Sequence, residues 1–435
     1  MRIEQNIQKR RDKMGKKFFL SLVIMLGMLA IPAFVMAEGE EESESEPAQS
    51  EEENEEVQQD ATDNSFALNH SFATQARALL QVPEVLARFT NQPSYQFEYP
   101  EDGVRGIYVT AHSAGGARFD SLVDLINTTD LNSMVIDIKE DHGYLTYHPE
   151  ADSDYTDIAK NYISDIEGLM ERLEEEEIYP IARIVVFKDS VLAENKPEWS
   201  FMDGNKVWKN NRNEAFVNPF LEEVWEYNVD IAEKAAKLGF KEIQFDYVRF
   251  PEGFERMFDQ LDYDGGDYWS GEGDDTEKRV AAVTDFVAYA RDRLASYDVD
   301  VSVDIFGYAA TISEAPGIGQ NFSKISENVD VISSMIYPSH WTPYFGIDKP
   351  DTQPYELTKA YAEVENEVLG ALDEPPVSRP WIQDFTASWL GAGNYIPYGV
   401  EEVEAQIRAL NEAGIEEFLL WNAGNTYTKG VDYKP

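Results

Sequence analysis

Three aspartates occupy matching positions in three β-rich runs of the sequence. In each run the aspartate alternates with apolar residues, as in Val135-Ile136-Asp137-Ile138, Phe245-Asp246-Tyr247 and Val303-Asp304-Ile305. Because successive side chains of a strand point to opposite faces, the apolar residues would face a core and the three carboxylates the other side. An ionised carboxylate is costly to bury alone, so these three need partners or water. Carboxylates held together in this way can perform general acid and base catalysis.

Other polar residues lie beside these aspartates or at the ends of further runs. Lys139, Arg183 and Arg249 are candidate ion-pair partners, and a purely structural ion pair remains an alternative for any single aspartate. Four polar or aromatic residues end two later runs, namely Gln383, Asp384, Trp421 and Asn422. Several polar groups converging at one level favour a functional site. Asp137 with Glu140 forms a rival carboxylate pair to Asp246 with Asp304.

The runs that carry these residues recur eight times, with helical segments between them. The predicted strands are 106–111, 133–139, 179–187, 242–250, 301–308, 329–337, 380–385 and 416–422. Helix signals include Asn218 before Pro219 and Gly239 at a helix end, and residues 276–297 and 399–414 also show a helical pattern. Eight alternating strands and helices predict an α/β fold, a closed (β/α)8 TIM barrel.

The barrel prediction has further consequences. The three aspartates would point into the barrel near its carboxyl-end mouth, where barrel enzymes place their catalytic groups. A doubly wound sheet is the alternative, although no glycine-rich phosphate motif follows the first strand. The residues after the eighth strand, 423–435, show no amphipathic period, so we expect no clear eighth outer helix. The apolar segment 70–90 is the candidate to cover that strand.

The N-terminal region is predicted to direct export. Seven basic residues lie between positions 2 and 17, and residues 18–37 carry no charge and end in Val35-Met36-Ala37. This pattern predicts a signal peptide over 1–37 that is cleaved after Ala37, with an uncleaved membrane anchor as the alternative. Cleavage would give a secreted protein, and an anchor would hold it at the extracytoplasmic surface.

A strongly acidic segment follows. Between positions 38 and 63 the sequence has eleven Glu and two Asp and no Lys or Arg. Self-repulsion predicts a disordered acidic linker over 38–65, followed by a helical extension over 66–99 and the barrel over 100–435. The whole chain carries a formal net charge of -46, which disfavours binding to nucleic acid or to anionic membranes. Membrane contact is therefore expected only through an uncleaved N-terminal segment.

Several motifs together resemble a known family. They are Gly106-Ile107-Tyr108-Val109-Thr110, Val135-Ile136-Asp137-Ile138-Lys139-Glu140, Phe245-Asp246-Tyr247-Val248-Arg249-Phe250-Pro251, Val303-Asp304-Ile305-Phe306-Gly307 and Met335-Ile336-Tyr337-Pro338. In this order, over residues 100–430, they resemble the secreted bacterial family described as putative glycosyl hydrolases, a domain of unknown function. The resemblance implies a TIM-barrel glycoside hydrolase distantly similar to the α-amylase superfamily.

The resemblance also suggests roles for the acids. In the α-amylase superfamily an Asp at the end of the fourth strand is the nucleophile, a Glu ending the fifth strand is the acid/base, and an Asp ending the seventh assists. Asp246, Asp304 and Asp384 fall on those strands. This sequence has Asp rather than Glu on the fifth strand, places Arg249 after the fourth-strand Asp, and has Gln383 where amylases have His.

The substrate would contact residues around these acids. Tyr337, Trp341, Trp381 and Trp421 are candidates to stack on sugar rings, although core packing is the alternative for each. The polar candidates are Lys139, Arg183, Arg249, Gln383 and Asn422. Two long loops, 188–217 and 251–275, should border the mouth.

These features predict an extracellular glycoside hydrolase that cleaves a polysaccharide with paired carboxylates. The alternative is a non-catalytic carbohydrate-binding barrel at the cell surface. No cofactor is predicted. The five histidines form no His-x-His or His-Glu-x-x-His arrangement, so no catalytic metal is predicted, and calcium in the acidic loop 251–275 has little support. The same absence argues against a metal-dependent deacetylase.

Overall fold

The computed structural model describes residues 95–150 and 153–434, which lie within the unit 72–435. The strands are β1 (Arg105–Val109), β2 (Ser133–Lys139), β3 (Leu145–Tyr147), β4 (Ala159–Ile163), β5 (Tyr179–Val185), β6 (Met202–Asp203), β7 (Lys206–Val207), β8 (Glu242–Asp246), β9 (Asp300–Phe306), β10 (Val331–Met335), β11 (Val377–Ser378), β12 (Trp381–Gln383) and β13 (Phe418–Trp421). The helices are α1 (Ala111–Ala114), α2 (Phe119–Asn127), α3 (Ile166–Glu175), α4 (Ser190–Asn195), α5 (Glu222–Leu238), α6 (Asp275–Leu294), α7 (Phe322–Ser326), α8 (Pro354–Leu369) and α9 (Val400–Glu412).

Eight of these strands form a closed parallel barrel, in the order β1, β2, β5, β8, β9, β10, β12, β13. The barrel closes because β1 pairs with β2 on one side and with β13 on the other. The predicted (β/α)8 fold is therefore confirmed, and all eight predicted runs contain a barrel strand. A doubly wound sheet is excluded, because such a sheet has two edge strands that each lack a neighbour on one side, whereas each of these eight strands has two neighbours.

Side-chain alternation divides the strands into two packing layers. Residues such as Ile136, Phe245 and Val303 face outward and join the large core beneath the helices. A smaller cluster fills the barrel interior and consists of Val104, Tyr108, Val135, Tyr179, Ile181, Tyr337, Trp381 and Leu419. The interior is mainly aromatic and branched, as in other closed barrels.

The outer helices begin and end at recognisable signals. Helix α6 begins with a capping box in which Asp274 and Glu277 satisfy each other's backbone N–H groups. Helix α5 ends at Gly239, whose φ of 107° lies in the left-handed region that glycine tolerates. It begins at Glu222 rather than near Pro219, because the side chain of Asn218 accepts the backbone N–H of Phe220 and holds a turn there.

The C-terminal residues cover β13 without a helix. Within the described residues after β13, 422–434, the chain forms turns, and it buries the side chains of Tyr427, Val431 and Tyr433 in the outer core. The Tyr427 hydroxyl donates to the carbonyl oxygen of Tyr108 at 2.5 Å. The expectation that no eighth outer helix forms is met. The segment 70–90, which we expected to cover this strand, lies outside the described residues.

The amino end of the barrel is closed by a buried arginine. Arg379 pairs with Glu242 at 2.6 Å and with Glu417 at 2.7 Å, and it also donates to the hydroxyl of Tyr99 at 2.9 Å. Residues 95–99 are the described end of the predicted helical extension, and they contain no helix. Pro100 disfavours the helical conformation only at Tyr99, directly before it.

The signal segment and the acidic linker also lie outside the described residues. Among the helices of 95–150 and 153–434, none has the length and apolarity needed to cross a membrane. Within the same residues no cluster of three or more His, Asp or Glu has the arrangement of a metal site.

The two mouth loops contact each other, since Met202 and Asp262 exchange backbone hydrogen bonds at 2.9 Å.

Candidate active site

Arg183 lies at the centre of the candidate site. It is the second-to-last of the inward-facing residues of β5. Its guanidinium is almost completely buried. It contacts Asp137 from β2 at 2.7 Å and Asp246 from β8 at 2.5 Å. Three neighbouring strands therefore bring their charged residues together at one level of the barrel. The cationic guanidinium offsets the cost of burying the two carboxylates.

Asp246 is held at both of its carboxylate oxygens. Its Oδ2 accepts hydrogen bonds from Nε of Arg183 at 3.0 Å and from Nη2 at 2.5 Å. Its Oδ1 accepts the backbone N–H of Tyr247 at 2.6 Å. Charge-assisted hydrogen bonds of this kind favour the carboxylate form and fix its orientation. Of the two partners predicted for Asp246, Arg183 makes these contacts and Arg249 does not.

Asp304 is the acid in the most apolar surroundings. It is 2% exposed, and burial together with the negative charge of Asp246 raises the pKa of Asp304 well above its ordinary value. The indole Nε1–H of Trp381 donates to Oδ1 of Asp304 at 2.7 Å. Because Oδ1 already accepts that hydrogen bond, the acid proton is directed to Oδ2. The raised pKa favours the protonated form of Asp304, which lies next to the Asp246 carboxylate that pairs with Arg183.

Asp137 bridges Arg183 to the first strand. The Tyr108 hydroxyl donates to Oδ2 of Asp137 at 2.6 Å, and the carboxylate pairs with Arg183 through Oδ1. Burial raises the pKa of Asp137 to about 6, although the charge of Arg183 opposes this shift. Asp137 therefore shares its arginine with Asp246, and its contacts orient that arginine.

Sequence reasoning missed three members of this cluster. Besides Tyr108, these are Asp141, which follows β2, and Lys188, which follows β5; the two form an ion pair at 2.6 Å. Burial would raise the pKa of Asp141, but the charges of Arg183 and Lys188 lower it to about 2. Tyr108 could have been found from the alternation along β1. Asp141 and Lys188 lie beyond the strand ends, where the period of two no longer applies.

The residue after Asp246 has an unusual backbone. Tyr247 has a φ of 55°, in the left-handed region that residues with a side chain rarely adopt. The ammonium of Lys188 lies 3.8 Å from the centroid of its ring, which helps to hold the tyrosine in place. Backbone strain of this kind clusters at functional sites. In this conformation the backbone N–H of Tyr247 points at Oδ1 of Asp246.

Lys139 does not belong to the site, contrary to the prediction. The pairing of β2 with β5 shifts register between Asp137 and Lys139, so that Lys139 lies opposite Ile184 and faces outward. Its ammonium pairs with Asp189 at 2.6 Å and also donates to Asn228 of α5. The strict alternation used for the prediction fails at this bulge.

Glu140 and Asp384 are occupied by other contacts. Glu140 accepts the backbone N–H groups of His142 and Tyr144 and therefore stabilises the turn after β2. Asp384 accepts the backbone N–H of Thr428 at 2.9 Å and its hydroxyl at 2.5 Å. Burial raises the pKa of Asp384. In the part of the chain that the structure describes, Glu140 and Asp384 make these contacts and do not hydrogen-bond to Asp246 or Asp304.

The remaining polar candidates divide by position. Arg249 lies beside the mouth, with its guanidinium carbon 4.9 Å from the Tyr247 ring centroid and 4.7 Å from that of Phe306. Gln383 is buried and donates to Asp351 at 2.9 Å, so it fixes a loop. Asn422 donates to the carbonyl oxygens of Asp384 and Thr426 and shapes the C-terminal turn. All three side chains are engaged within the protein, and Arg249 also borders a surface cavity.

The four predicted aromatic residues also differ. Trp421 stacks on Tyr108 at 4.1 Å and remains partly exposed. Tyr337 is buried and lies close to the acids. Burial and the charges of Asp304 and Asp246 raise the pKa of its hydroxyl. Trp381 is 1% exposed and cannot stack on a sugar, so its contribution is the hydrogen bond to Asp304. Trp341 packs on Tyr361 in the outer core, with centroids 5.9 Å apart.

A buried acid with a raised pKa beside an arginine-paired carboxylate, at the carboxyl mouth of a (β/α)8 barrel, has the parts that glycosidases require. Residues 106–427 match the family described as "Putative glycosyl hydrolase domain". This match spans well over half of the chain, so the chain belongs to that family of glycosyl hydrolase domains. No curated protein matches the chain.

Several solved structures are similar to the chain, and the first of these supports the fold. The PgaB (BpsB) glycoside hydrolase domain from Bordetella bronchiseptica is 14% identical with a TM-score of 0.52, covering 73% of this chain and 94% of that domain. A hypothetical protein from Ruminiclostridium thermocellum ATCC 27405 is 31% identical with a TM-score of 0.39, and the match covers 46% of this chain and 96% of that one. An α-amylase from Lactobacillus plantarum is 14% identical with a TM-score of 0.44, covering 74% and 71%.

Proposed function

We propose that the protein is an extracytoplasmic glycoside hydrolase that cleaves a polysaccharide through Asp246 and Asp304. The observation that carries the proposal is the different surroundings of two adjacent acids, of which Asp246 pairs with Arg183 and Asp304 is buried against Trp381. Arg183 holds Asp246 as a carboxylate, while burial and the charge of Asp246 raise the pKa of Asp304. Two carboxyl groups in environments that separate their protonation states are the mark of an acid and its partner.

Each acid then has a distinct task. Asp304 donates its proton to the glycosidic oxygen as the bond from that oxygen to the anomeric carbon breaks. Asp246 supplies the negative charge that the positively charged anomeric carbon needs. In a retaining course Asp246 bonds to that carbon, and a water that gives its proton to the now ionised Asp304 then displaces Asp246. In an inverting course Asp246 takes a proton from a water that attacks the carbon directly. The same two residues serve in both courses.

The surrounding cluster supports this chemistry through its charge. Asp137, Asp141 and Asp246 carry three negative charges, and Arg183 and Lys188 carry two positive charges. The cluster therefore has a net charge of -1 while Asp304 is protonated. A site that is preorganised with negative charge stabilises an oxocarbenium-like transition state more than the neutral substrate.

A polysaccharide screen tests the proposal. Protein without residues 1–37 is incubated with a panel of bacterial and plant polysaccharides, and new reducing ends are measured. Release by the wild type but not by Asp246→Asn is the expected result. Asp124→Asn, an exposed carboxylate on the outer helix α2, is the matched control and should behave like the wild type. If the variant and the wild type bind a polysaccharide equally and neither cleaves it, the chain is a carbohydrate-binding barrel instead.

A further inference from the structure

A row of aromatic rings leads from the candidate acids to the protein surface. Trp421 lies 6.2 Å from Tyr337, Tyr337 lies 6.1 Å from Phe385, and Phe385 lies 5.8 Å from Trp389, measured between ring centroids. The last two rings are nearly parallel, with an interplanar angle of 21°. The row is therefore continuous from the buried site to solvent.

Trp389 is the outermost ring of this row and the most exposed. It is 64% exposed, the largest value among the exposed large apolar side chains of the described residues. It lies in the short 3₁₀ turn Ser388–Leu390 of the loop after β12. A single exposed apolar ring is common on protein surfaces, but Trp389 stacks on a row of rings that continues to the candidate acids, and this continuity points to a binding surface.

A second feature lies across the mouth. A cavity of about 300 Å³ is bordered by Trp208, Asn210, Arg212, Phe216, Arg249 and Glu252. Trp208 and Phe216 belong to the loop after β5, and β5 lies four places from β12 in the ring of eight strands. The cavity and Trp389 thus belong to loops that follow strands on opposite sides of the barrel. A chain that touches both must cross the mouth.

We propose that Phe385 and Trp389 form a distal subsite for a pyranose ring, and that the substrate chain runs from this subsite across the acids to the Arg249 cavity. This inference rests on the proposed function, of which it specifies the substrate geometry. A flat ring with an apolar face suits a pyranose, whose axial C–H bonds make one face apolar while its hydroxyl groups stay in water. A chain bound on both sides of the acids is cleaved internally.

Oligosaccharide ladders test this subsite. Cello-, chito- and malto-oligosaccharides from disaccharide to octasaccharide are the probes, and both binding and cleavage are measured for Trp389→Ala. A subsite far from the acids predicts about a tenfold loss of kcat/KM on long members, with no change on the shortest member that is cleaved. Trp269→Ala is the matched control, since Trp269 is 58% exposed but packs on Tyr263 in the loop after β8.

The outcomes separate the two proposals. Equal activity of Trp389→Ala and wild type on long members, or an equal loss on all lengths, would overturn the subsite and leave the hydrolase standing. Absence of cleavage by the wild type would count against the hydrolase, and binding would then decide the subsite. Weaker binding of long members by Trp389→Ala supports the subsite in that case. Unchanged binding, or no binding of any ladder by the wild type, overturns it.

Discussion

Arg183 gives the candidate site its organisation, because a single buried guanidinium contacts carboxylates from two other strands. Its planar fork satisfies Asp137 on one side and Asp246 on the other, which a lysine ammonium could not do with the same geometry. Asp246 is thereby kept ionised in a site where a lone carboxylate would be costly. The negative charge of the neighbouring Asp246 helps to raise the pKa of Asp304.

Removing the charge of Asp246 should abolish turnover. Asp246→Asn keeps the size and the hydrogen-bonding capacity of the side chain, but it cannot attack carbon or accept a proton. We expect kcat to fall by roughly 10² to 10⁴ with folding preserved, measured as reducing-end release and by circular dichroism. Near-wild-type turnover would contradict the assignment and would move the interpretation to Asp137 with Glu140.

Asp304→Asn should discriminate between leaving groups. Poor leaving groups need the proton of Asp304, whereas activated aryl glycosides do not. We expect a large loss of kcat/KM on the natural polysaccharide and a small loss on an aryl glycoside with an acidic phenol. Equal losses on both substrates would argue against Asp304 as the acid.

Trp381 should influence the pH profile through Asp304. Its indole N–H stabilises the ionised form of Asp304 and therefore lowers the pKa of that acid, against the larger upward effect of burial. Activity needs the protonated form and is lost as the pH rises through that pKa. Trp381→Phe removes the hydrogen bond, so the basic limb of the kcat/KM profile should move to higher pH. Trp341→Phe, a change in the outer core, should leave the limb in place.

Among the elements, the bulge in β2 has the clearest energetic consequence. It turns Lys139 outward to Asp189, and both side chains of this ion pair are fully buried. Asp189 also accepts the backbone N–H of Leu192 and so begins helix α4. Lys139→Met would leave a buried carboxylate unpaired and should lower the free energy of unfolding by roughly 3 to 5 kcal/mol.

Chemical denaturation measures this effect. Lys209→Met is the control, because the Lys209–Glu194 pair is exposed and should contribute at most about 1 kcal/mol. A loss for Lys139→Met no greater than that of the control would show that the buried pair does not stabilise the fold.

The same bulge shows what the sequence could and could not supply. Period-two alternation placed Asp137, Asp246 and Asp304 on the inner faces of three strands, where they lie in the structure. It failed at Lys139, because an inserted residue reverses the faces beyond it. It also could not assign Arg183 rather than Arg249 to Asp246, since partners across strands depend on register. Asp384 directly follows β12, close to its predicted place at the end of a strand. Its contact with Thr428 joins residues 44 positions apart in the chain, which the strand pattern could not predict.

At the scale of the whole molecule, the C-terminal segment completes the outer layer where the eighth helix is missing. Tyr433 is 2% exposed, and its hydroxyl has no hydrogen-bond partner in the described structure. Tyr433→Ala should therefore lower the free energy of unfolding by roughly 3 kcal/mol through the cavity it leaves. Tyr433→Phe removes only the unpaired hydroxyl and should not destabilise the protein. A similar loss for both variants would show that the hydroxyl, not the ring, matters.

Export concerns the whole chain as well. The basic flank, the uncharged run and the Val35-Met36-Ala37 ending predict that the secreted protein begins at Glu38. N-terminal sequencing of protein recovered from the medium checks this prediction. Protein found only in the membrane fraction with residues 1–37 intact would show an anchor instead.

Closure of the barrel depends on contacts between residues far apart in the chain. The backbone N–H of Thr110, just after β1, donates to Asn425, which lies 315 residues further along. During synthesis, the side of β1 that pairs with β13 stays unpaired until β13 has been made. Pairing between strands so far apart in the chain is slow. A nascent chain of this protein therefore cannot complete its barrel while most of it is still being made. The export predicted from the N-terminal sequence requires an unfolded chain, and late closure of the barrel is the folding behaviour that such export would need.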